Sequence, residues 1–392
     1  MFVIHANLDA EARWAGGALP GSIATRVSYY AALLAVLAPL DEDVEVWAPA
    51  AIDSSRLIDA PSIAPSASGR PAWRPPTMRV GTPPRADVVW APALAKAAND
   101  RRLALAIANE LEVGLPGSRV IQSVDELGAW ISSAIAAPIA APIAASIAAP
   151  IAAPIAAPIA VPDRRWVAKA PWTTAGRDRC QGEGAPTSEQ RTRVSRLLDR
   201  FGALVVEPWV DRIFDVGLCA RIDELRPHAA TTSAAPTSAT PTSAAPTSAA
   251  PTSAAPTSAA PTNAANDFYI TLAEPHTLVT DARGTFLGID LAAPPLLADE
   301  ATQLGVTART VGAKLAAMGF RGSFAIDAFV YRDASGDRRL RPLCEINART
   351  TFGHVARAFG SRGFSRLGFG APPEGATVLV APAGDGVTAW VA

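Results

Sequence analysis

The sequence predicts an α+β protein, with a small α/β unit at the start of the chain and a larger mixed region after it. Three observations predict this class. Short strand-like and helix-like segments alternate over residues 1–97, a β-hairpin with one polar face is predicted between residues 322 and 349, and two low-complexity tracts interrupt the chain. A chain of 392 residues is long enough for two or three domains.

Residues 1–97 are predicted to form a small α/β domain. Apolar runs predict strands at residues 2–4, 44–47 and 87–90, and apolar residues at three-to-four spacing predict a helix over residues 22–37. Three polar residues follow the first strand, where a ligand could bind at the carboxyl end of a parallel sheet: Asn7, Glu11 and Arg13. Because loops are polar whether or not they bind anything, we interpret these residues as a surface loop.

Two low-complexity tracts interrupt the second region, which we assign to residues 98–392. Residues 134–162 repeat Ile-Ala-Ala-Pro, and residues 231–262 repeat Pro-Thr-Ser-Ala-Ala. The first tract is uncharged and long, but proline at every fourth position removes backbone donors and argues against a transmembrane helix. The second has too little apolar surface to order itself. Both are expected to be disordered loop inserts.

A β-hairpin is predicted at residues 322–349. Apolar and polar residues alternate in 322–330 and 341–349, and Ala-Ser-Gly-Asp at 334–337 is typical of a turn. One face of the two strands is expected to enter the core, and it carries Phe324, Ile326, Val330, Leu340, Cys344 and Ile346. The opposite face carries Asp327, Glu345 and Asn347. Folding the apolar face into the core therefore brings two carboxylates and an amide together.

These three polar side chains form an all-oxygen cluster. Such a cluster suits Mg²⁺ better than zinc or copper. An ordinary half-buried hairpin with a solvated polar face has the same alternation of residues. From the spacing alone, both interpretations stay open.

A second candidate group lies at residues 165–184. Residues 165–171 predict a strand that carries Lys169, and residues 173–184 predict a loop rich in Gly, Thr and Arg. A lysine before such a loop can neutralise phosphates while the backbone N–H groups of the loop cradle them. The Walker A pattern is absent, and a lysine such as Lys169, taken alone, is more often an ordinary surface residue.

Together these segments resemble the ATP-grasp superfamily. The resemblance rests on Gly-x-x-x-x-Asp at 322–327, Glu-Ile-Asn-Ala-Arg at 345–349 and Val-Ala-Lys-Ala-Pro-Trp at 167–172, and it covers roughly residues 98–360 apart from the two inserts. The family often has proline where this chain has Ala348. The resemblance implies a two-lobe ATP-grasp fold, preceded by a small Rossmann-like pre-ATP-grasp domain.

The resemblance also implies roles for individual residues. It implies that one or two Mg²⁺ ions, with Mn²⁺ as a possible substitute, bind to the phosphates of ATP through Asp327, Glu345 and Asn347. Lys169 is implied to contact phosphate, and Arg349 to lie near the transferred phosphoryl group. The flexible loop over the triphosphate would contain Thr173, Thr174, Gly176 and Arg177, and the backbone groups next to adenine would come from Glu207, Trp209 and Val210. Either Asp211 or Asp215 could reach the ribose.

The activity implied by the resemblance is that of an ATP-dependent carboxylate–amine ligase. A substrate carboxylate would attack the γ-phosphate to give an acyl phosphate and ADP, and an amine or similar nucleophile would then displace phosphate. Two alternatives stay open: an ATP-binding module that catalyses nothing, and a phosphotransferase on the same fold. The expected partners are a small-molecule carboxylate and an amine.

Composition excludes several other classes. The net charge of −1 argues against a nucleic-acid partner, and three distant cysteines form neither a disulfide framework nor a zinc motif. The first residues lack the basic flank of a signal peptide, so we expect no membrane attachment and a cytoplasmic location. Neither a Gly-x-Ser-x-Gly elbow nor a Gly-x-Gly-x-x-Gly fingerprint is present, which disfavours a serine hydrolase and a Rossmann dehydrogenase. The sequence does not predict an oligomeric state.

Overall fold

The computed structural model describes residues 1–60, 72–136, 165–172, 178–225, 267–281 and 285–392. These residues form three β-sheets with helices packed against them, so the predicted mixture of helix and strand is confirmed. Residues 134–136 end a helix, and the rest of the predicted insert at 134–162 lies outside the described residues, as does the insert at 231–262. In the described part of the chain, no helix has both the length and the apolar character of a membrane span.

The first sheet is a small parallel one. The elements of this region are strands β1 (Phe2–His5), β2 (Val44–Ala48), β3 (Thr77–Val80) and β4 (Val88–Val89), and helices α1 (Ala10–Trp14), α2 (Gly21–Ala32) and α3 (Ala95–Ala98). The strand order is β3-β2-β1-β4, and each neighbouring pair is parallel. The predicted strands and helix are present, although the helix continues after Ala32 as a 3₁₀ turn, and β3 was not predicted.

The interpretation of the polar residues after β1 as a surface loop is wrong for Asn7 and Glu11, whereas Arg13 is exposed but lies on helix α1. Glu11 lies in α1 and is buried, as is Asn7 in the turn before it. The Asn7 amide donates to the carbonyl of Ala91 at 2.9 Å, and its oxygen accepts from the Ala91 N–H at 2.8 Å. Asn7 therefore ties the end of β1 to the segment after β4.

The second sheet is antiparallel and has its own core. Its region contains helices α4 (Arg101–Glu110), α5 (Val124–Ala136) and α6 (Ser188–Phe201), and strands β5 (Arg119–Ile121), β6 (Arg165–Lys169), β7 (Arg179–Glu183) and β8 (Leu204–Pro208). The strand order is β5-β8-β6-β7, and its apolar side chains pack with α5 and α6 around Trp166 and Phe201. Strand β7 corrects the prediction of a continuous loop over residues 173–184, because it pairs with β6 along its whole length.

The third sheet has nine strands. Its elements are strands β9 (Asp211–Glu224), β10 (Phe268–Leu272), β11 (His276–Thr280), β12 (Phe286–Asp290), β13 (Gly322–Arg332), β14 (Arg338–Asn347), β15 (Arg366–Phe369), β16 (Thr377–Val380) and β17 (Ala389–Val391), and helices α7 (Ala298–Ala317) and α8 (Phe352–Gly360). The strand order is β14-β13-β9-β11-β12-β15-β17-β16, with β10 also paired to β9. Helix α7 packs its apolar face against β9, β10, β13 and β14.

The hairpin of β13 and β14 contains an irregularity that the sequence did not predict. Asp327 pairs with Glu345, but Phe329 pairs with Arg341, so residues 342–344 lie opposite Ala328 alone. Proline at 342 suits this position because it has no N–H to donate to a partner strand. As a result Leu343 enters the core and Cys344 faces a cavity, whereas Cys344 was predicted to face the core.

The first and third sheets share one apolar core. Buried residues of β1, α2 and the 3₁₀ turn after it belong to the same cluster as those of α7, β13 and β16. Arg56 reinforces this contact by pairing with Asp385 at 2.8 Å. The boundary between residues 97 and 98 stays a prediction, since packing is continuous across it.

Candidate active site

A cavity of about 400 Å³ lies between the second and third sheets and is closed on one side by α1 and α2. The second sheet contributes Lys169 from the end of β6. The third sheet contributes Asp327 from β13 and Glu345 and Asn347 from β14. Arg349 follows β14 and lines the same cavity. The lysine and the all-oxygen cluster, which lie far apart in the sequence, therefore face one common space.

Residues that pair across four neighbouring strands form a row on the floor of this cavity. Glu345 pairs with Asp327, Asp327 with Gly217 on β9, and Gly217 with His276 on β11. Because neighbouring strands lie about 4.8 Å apart, the two carboxyl groups start from adjacent backbone positions and point to the same face. Asn347 opposes Ala325 one pleat further along the same face.

The two carboxyl groups are close enough to affect each other. Burial, and next the neighbouring Glu345 carboxylate, raises the pKa of Asp327 to about 7. Arg349 and the Asn347 side chain act in the opposite direction but do not cancel the effect. A positive ion beside Asp327 would offset both causes, so the pair is suited to a cation.

The described residues hold no group of three or more His, Cys, Asp and Glu side chains placed to bind a metal. The cluster consists of two carboxylates and one amide, and its members are all oxygen donors on adjacent strands. Mg²⁺ commonly takes only one or two carboxylates from a protein and completes its shell with water and substrate phosphates. The cluster therefore fits a Mg²⁺ ion shared with a phosphorylated ligand better than a self-sufficient metal centre.

Glu345 has an arginine partner that the sequence did not predict. Arg101, the first residue of α4, donates to both carboxylate oxygens of Glu345 at 3.0 Å. Burial disfavours the charged guanidinium, but Glu345 and then Glu11 more than offset it, so the pKa of Arg101 is raised. The sequence indicates only that Arg101 is the first residue of a helix whose N-cap is Asp100.

Arg349 is also anchored by unpredicted partners. Its guanidinium lies 2.7 Å from the Glu11 carboxylate of α1 and donates to the Asn99 side-chain oxygen at 2.7 Å. Asn99 also accepts from the Ala348 N–H at 3.1 Å, which fixes the chain just after the cluster. These contacts hold Arg349 at the junction of the first and third sheets, beside the carboxylates.

Lys169 takes part in a buried charge network behind the cavity. Its ammonium donates to Glu207 at 2.5 Å, and the other oxygen of Glu207 accepts from Arg341 of β14. Burial alone would raise the pKa of Glu207, but Arg341 and Lys169 together hold it well below its usual value. Glu207 therefore stays ionised and orients Lys169, a side-chain role beyond the predicted backbone contact with adenine.

The remaining predicted nucleotide residues differ in position. Thr173, Thr174, Gly176 and Arg177 lie outside the described residues. Trp209 and Val210 join β8 to β9, and the Trp209 N–H already donates to the Arg165 carbonyl at 2.9 Å. Asp215 lines the cavity and accepts from Arg212 at 2.7 Å, whereas Asp211 is exposed and pairs with Arg165 at 2.9 Å. Of these two aspartates, only Asp215 faces the cavity.

His276 is a cavity residue that sequence reasoning missed. Its ring lies where a Cβ atom on Gly217 or Gly353 would approach it within 3 Å, so two glycines make room for it. Burial, and next Arg357, lowers the pKa of His276 to about 3, and its Nδ1 atom has no hydrogen-bond partner in the described part of the protein. A lone histidine at a strand start gives no sequence signal for this position.

His354 and Arg357 lie apart from the carboxylate cluster. Both line a second cavity, of about 780 Å³, next to β4 and the ends of β9 and β13. The His354 Nδ1 atom is 3.0 Å from the Thr351 hydroxyl, and burial lowers the pKa of His354 to about 4. The sequence allows both residues to face an acceptor substrate but favours ordinary helix-surface or core roles, and neither residue lines the main cavity.

No family model and no curated sequence matches this chain. Among solved structures, D-alanyl-alanine synthetase A from Vibrio cholerae is similar with 9% identity and a TM-score of 0.39, over 70% of this chain and 62% of that one. N5-carboxyaminoimidazole ribonucleotide synthetase from Thermus thermophilus has 12% identity and a TM-score of 0.45, over 100% and 93% of the two chains. D-cycloserine synthetase DcsG has 14% identity and a TM-score of 0.42, over 92% and 99%.

This chain thus spans less than two thirds of the length of the Vibrio cholerae synthetase. All three TM-scores are below 0.5, and all three identities are below 25%. Similarity at this level does not indicate an activity. The evidence for one is the set of residues around the cavity.

Proposed function

We propose that this protein is an ATP-grasp enzyme that joins a carboxylic acid to an amine or similar nucleophile at the expense of ATP. The observation that supports the proposal is the convergence on one cavity of Lys169, from the second sheet, with Asp327, Glu345 and Asn347 from the third. The sequence resemblance implies this same set of residues. A triphosphate lying between the sheets would meet a lysine on one side and the carboxylate cluster on the other.

Mg²⁺ would be held by Asp327, Glu345 and Asn347 together with the phosphates of ATP. The bound ion would neutralise phosphate charge and polarise the phosphoryl group. Glu345 would then exchange part of its contact with Arg101 for the ion, since one carboxylate has about four lone-pair sites for partners. The raised pKa of Asp327 fits this role, because the carboxyl gains most from a cation that favours its ionised form.

The residues around the cluster have distinct roles in phosphoryl transfer. Lys169, oriented by Glu207, would donate to phosphate oxygens of ATP, and Arg349, oriented by Glu11 and Asn99, would face the transferred group. A carboxylate oxygen of the acid would bond to the γ-phosphorus while the bond from that phosphorus to the β,γ-bridging oxygen breaks and ADP leaves. Positioning and charge stabilisation, rather than a protein base, drive such a step.

The second step forms the new bond to the acid. The amine lone pair would bond to the acyl carbon, inorganic phosphate would leave with the electron pair of the broken C–O bond, and the nitrogen would lose a proton. Helices α1 and α2 cover one side of the cavity and would limit the access of water to the acyl phosphate from that side.

The test is ADP release by the full-length protein with Mg²⁺-ATP, a panel of carboxylic acids and hydroxylamine as a general nucleophile. We expect ADP and an acyl hydroxamate to form in equal amounts. Lys169→Met and Glu345→Gln should each lower the rate at least 100-fold. The matched controls are Lys314→Met and Glu110→Gln, because these two residues form an ion pair with each other at 2.7 Å, away from the cavity.

The other outcomes separate the alternatives. Thermal stabilisation by Mg²⁺-ATP without ADP release from any acid would indicate a nucleotide-binding module. A stable phosphorylated product in place of the hydroxamate would indicate a phosphotransferase. Full activity in Lys169→Met or Glu345→Gln would refute the assigned site.

A further inference from the structure

The cavity changes character along its length. Its floor begins with carboxylates on β13 and β14, crosses Gly217 on β9, and continues with Leu278 on β11 and Ile289 on β12. Above these apolar strands the cavity is walled by five aromatic residues, which we call the aromatic end: Trp14, Tyr30, Trp90, Phe286 and Phe352. Neither the proposed phosphoryl transfer nor the Mg²⁺ site uses this end.

The aromatic end is held together by ring contacts. Phe352, at the start of α8, lies 5.3 Å from Trp90 and 6.3 Å from Tyr30 between ring centroids. Phe369 lies behind them, 4.7 Å from Tyr30 and 5.1 Å from Phe352. Aromatic pairs at these separations stabilise their mutual orientation, so this wall is a preformed surface.

Several side chains of the aromatic end remain partly open to the cavity. Trp14, Tyr30 and Phe352 are only half-buried, and Phe286 is 36% exposed although it is a large apolar side chain. Burying these rings would remove more apolar area from water and stabilise the fold, so packing of the core does not explain why they are exposed. An apolar ligand group would cover these rings and gain that contact.

Charge marks the boundary between the two parts of the cavity. The ion pair of Glu11 and Arg349 is next to both parts, because Arg349 follows the strand of the carboxylate cluster and Glu11 lies one turn before Trp14 on α1. His276, next along the row from Gly217, stays neutral near pH 7 because its pKa is lowered to about 3. The cation next to Leu278 on this floor is Arg212, and it is already paired with Asp215 at 2.7 Å, so a second carboxylate on a ligand would lose water and would have to displace Asp215 to gain a partner.

Strand spacing sets the size of the ligand. The aromatic end lies over β11 and β12, which are two and three strands away from β13, the strand that carries Asp327. At about 4.8 Å per strand, this separation is roughly 10–14 Å. If the γ-phosphate occupies the first few ångströms beside the cluster, roughly 5–10 Å remain for the acid.

We infer that the acid substrate is a monocarboxylic acid whose side group is apolar and about the size of an aromatic ring, bound in the aromatic end. The inference rests on the proposed ligase function, which places the acid carboxylate beside the γ-phosphate and Arg349. An arylalkanoic acid such as 3-phenylpropionate has the required charge, length and apolar group.

The experiment compares 3-phenylpropionate with propionate and succinate on the full-length protein. Binding is measured by titration calorimetry in the presence of Mg²⁺-ADP, and turnover by ADP and hydroxamate formation with Mg²⁺-ATP and hydroxylamine. We expect 3-phenylpropionate to bind at least tenfold more tightly than the two other acids and to have the highest kcat/KM.

Two variants test the location of the apolar group from opposite walls. Phe352→Ala and Trp14→Ala should each raise the KM for 3-phenylpropionate at least tenfold and leave the KM for ATP within twofold, whereas Phe352→Leu should retain most of the binding. Because Trp14 is half-buried on a short helix, its variant keeps the test informative if Phe352→Ala does not fold.

Each outcome decides the inference separately from the proposed function. ADP release with propionate or succinate, but not with 3-phenylpropionate, would support the ligase and overturn the inference. Calorimetric binding of 3-phenylpropionate that Phe352→Ala weakens, without turnover of any acid, would support the binding position in the aromatic end and overturn the ligase proposal alone. Equal binding of all three acids, or none, overturns the inference.

Discussion

The two ends of the main cavity stand on the same sheet face but are built in opposite ways. At one end, Asp327, Glu345, Arg101 and Arg349 place two carboxylates and two guanidinium groups in partly buried positions. At the other end, aromatic rings and aliphatic floor residues leave an apolar surface. The change takes place at Gly217, the floor residue without a side chain, where the neutral ring of His276 fills the space.

This contrast separates two tasks. Buried charges lose their hydration and keep a strong influence on any group placed among them, so the charged end suits phosphoryl chemistry. Apolar surface binds by area and shape, so the aromatic end suits substrate selection. Substitutions at the charged end should therefore change the rate of reaction, and those at the aromatic end should change the affinity for one substrate.

The largest effect is expected from Asp327→Asn. The variant keeps the shape of the side chain but removes the negative charge next to Glu345, so the rate of ADP formation should fall at least 100-fold while the melting temperature is retained or raised. Steady-state kinetics and thermal denaturation check this. Asp337→Asn, in the exposed turn of the same hairpin, is the control and should keep full activity. An active Asp327→Asn protein would show that the charged end does not perform the chemistry.

The next largest effect concerns the buried network behind Lys169. Glu207→Ala would leave Arg341 buried without its carboxylate partner, which should lower the free energy of unfolding by about 3–5 kcal/mol. The control is Asp211→Ala, which removes an exposed partner of Arg165 and should cost about 0–1 kcal/mol. Chemical denaturation measures both variants. Equal stability of the two variants would show that this network does not support the charged end.

A pH effect is expected from His276, which is buried, and from His354, which is half-buried. The pKa of His276 is lowered to about 3 and that of His354 to about 4, so the unfolded chain binds more protons than the folded protein below pH 6.5. Each histidine should therefore destabilise the fold as the pH falls from 6.5 to 4, by on the order of 3 kcal/mol. Unfolding free energies across this range measure the effect. In the His276→Gln variant, the slope of the unfolding free energy against pH should fall by the equivalent of about one proton. An unchanged slope would show that His276 does not cause the effect.

The smallest effect is expected at the change from charged to apolar floor. A Cβ atom in Gly217→Ala would lie 2.3 Å from the Nε2 atom of His276, whose ring is held by Gly353 on its other side. Such overpacking costs about 1–3 kcal/mol. Gly305→Ala in α7 is a matched control, because its Cβ meets nothing within 4 Å, and a gain of about 0.5–1 kcal/mol is expected there. Thermal denaturation of both variants tests this packing, which equal melting temperatures would contradict.

The sequence predicted the charged end better than the aromatic end, for a physical reason. Asp327 and Glu345 lie on two strands of one hairpin, so period-2 alternation and a local turn were enough to bring them together. The bulge opposite Ala328 was not predicted, although Pro342 followed by Leu343 and Cys344 interrupts the alternation there and a proline inside a strand is a bulge signal. Consequently Cys344 was assigned to the wrong face.

The partners of the charged residues come from distant parts of the chain. Arg101 and Glu345 are 244 positions apart, and their contact depends on how α4 packs against β14. The aromatic end is more dispersed still, since its rings come from α1, α2, α8, β12 and the segment after β4. No local pattern marks residues that meet only through tertiary packing, so this half of the cavity was invisible in the sequence.

The most direct test of the central claim is the Mg²⁺ dependence of ATP binding, measured by titration calorimetry on the intact chain and on an Asp327→Asn, Glu345→Gln double variant. We expect Mg²⁺ to tighten ATP binding to the unaltered protein at least tenfold and to have no such effect on the double variant. Equal tightening by Mg²⁺ in both proteins would show that Asp327 and Glu345 do not hold the ion.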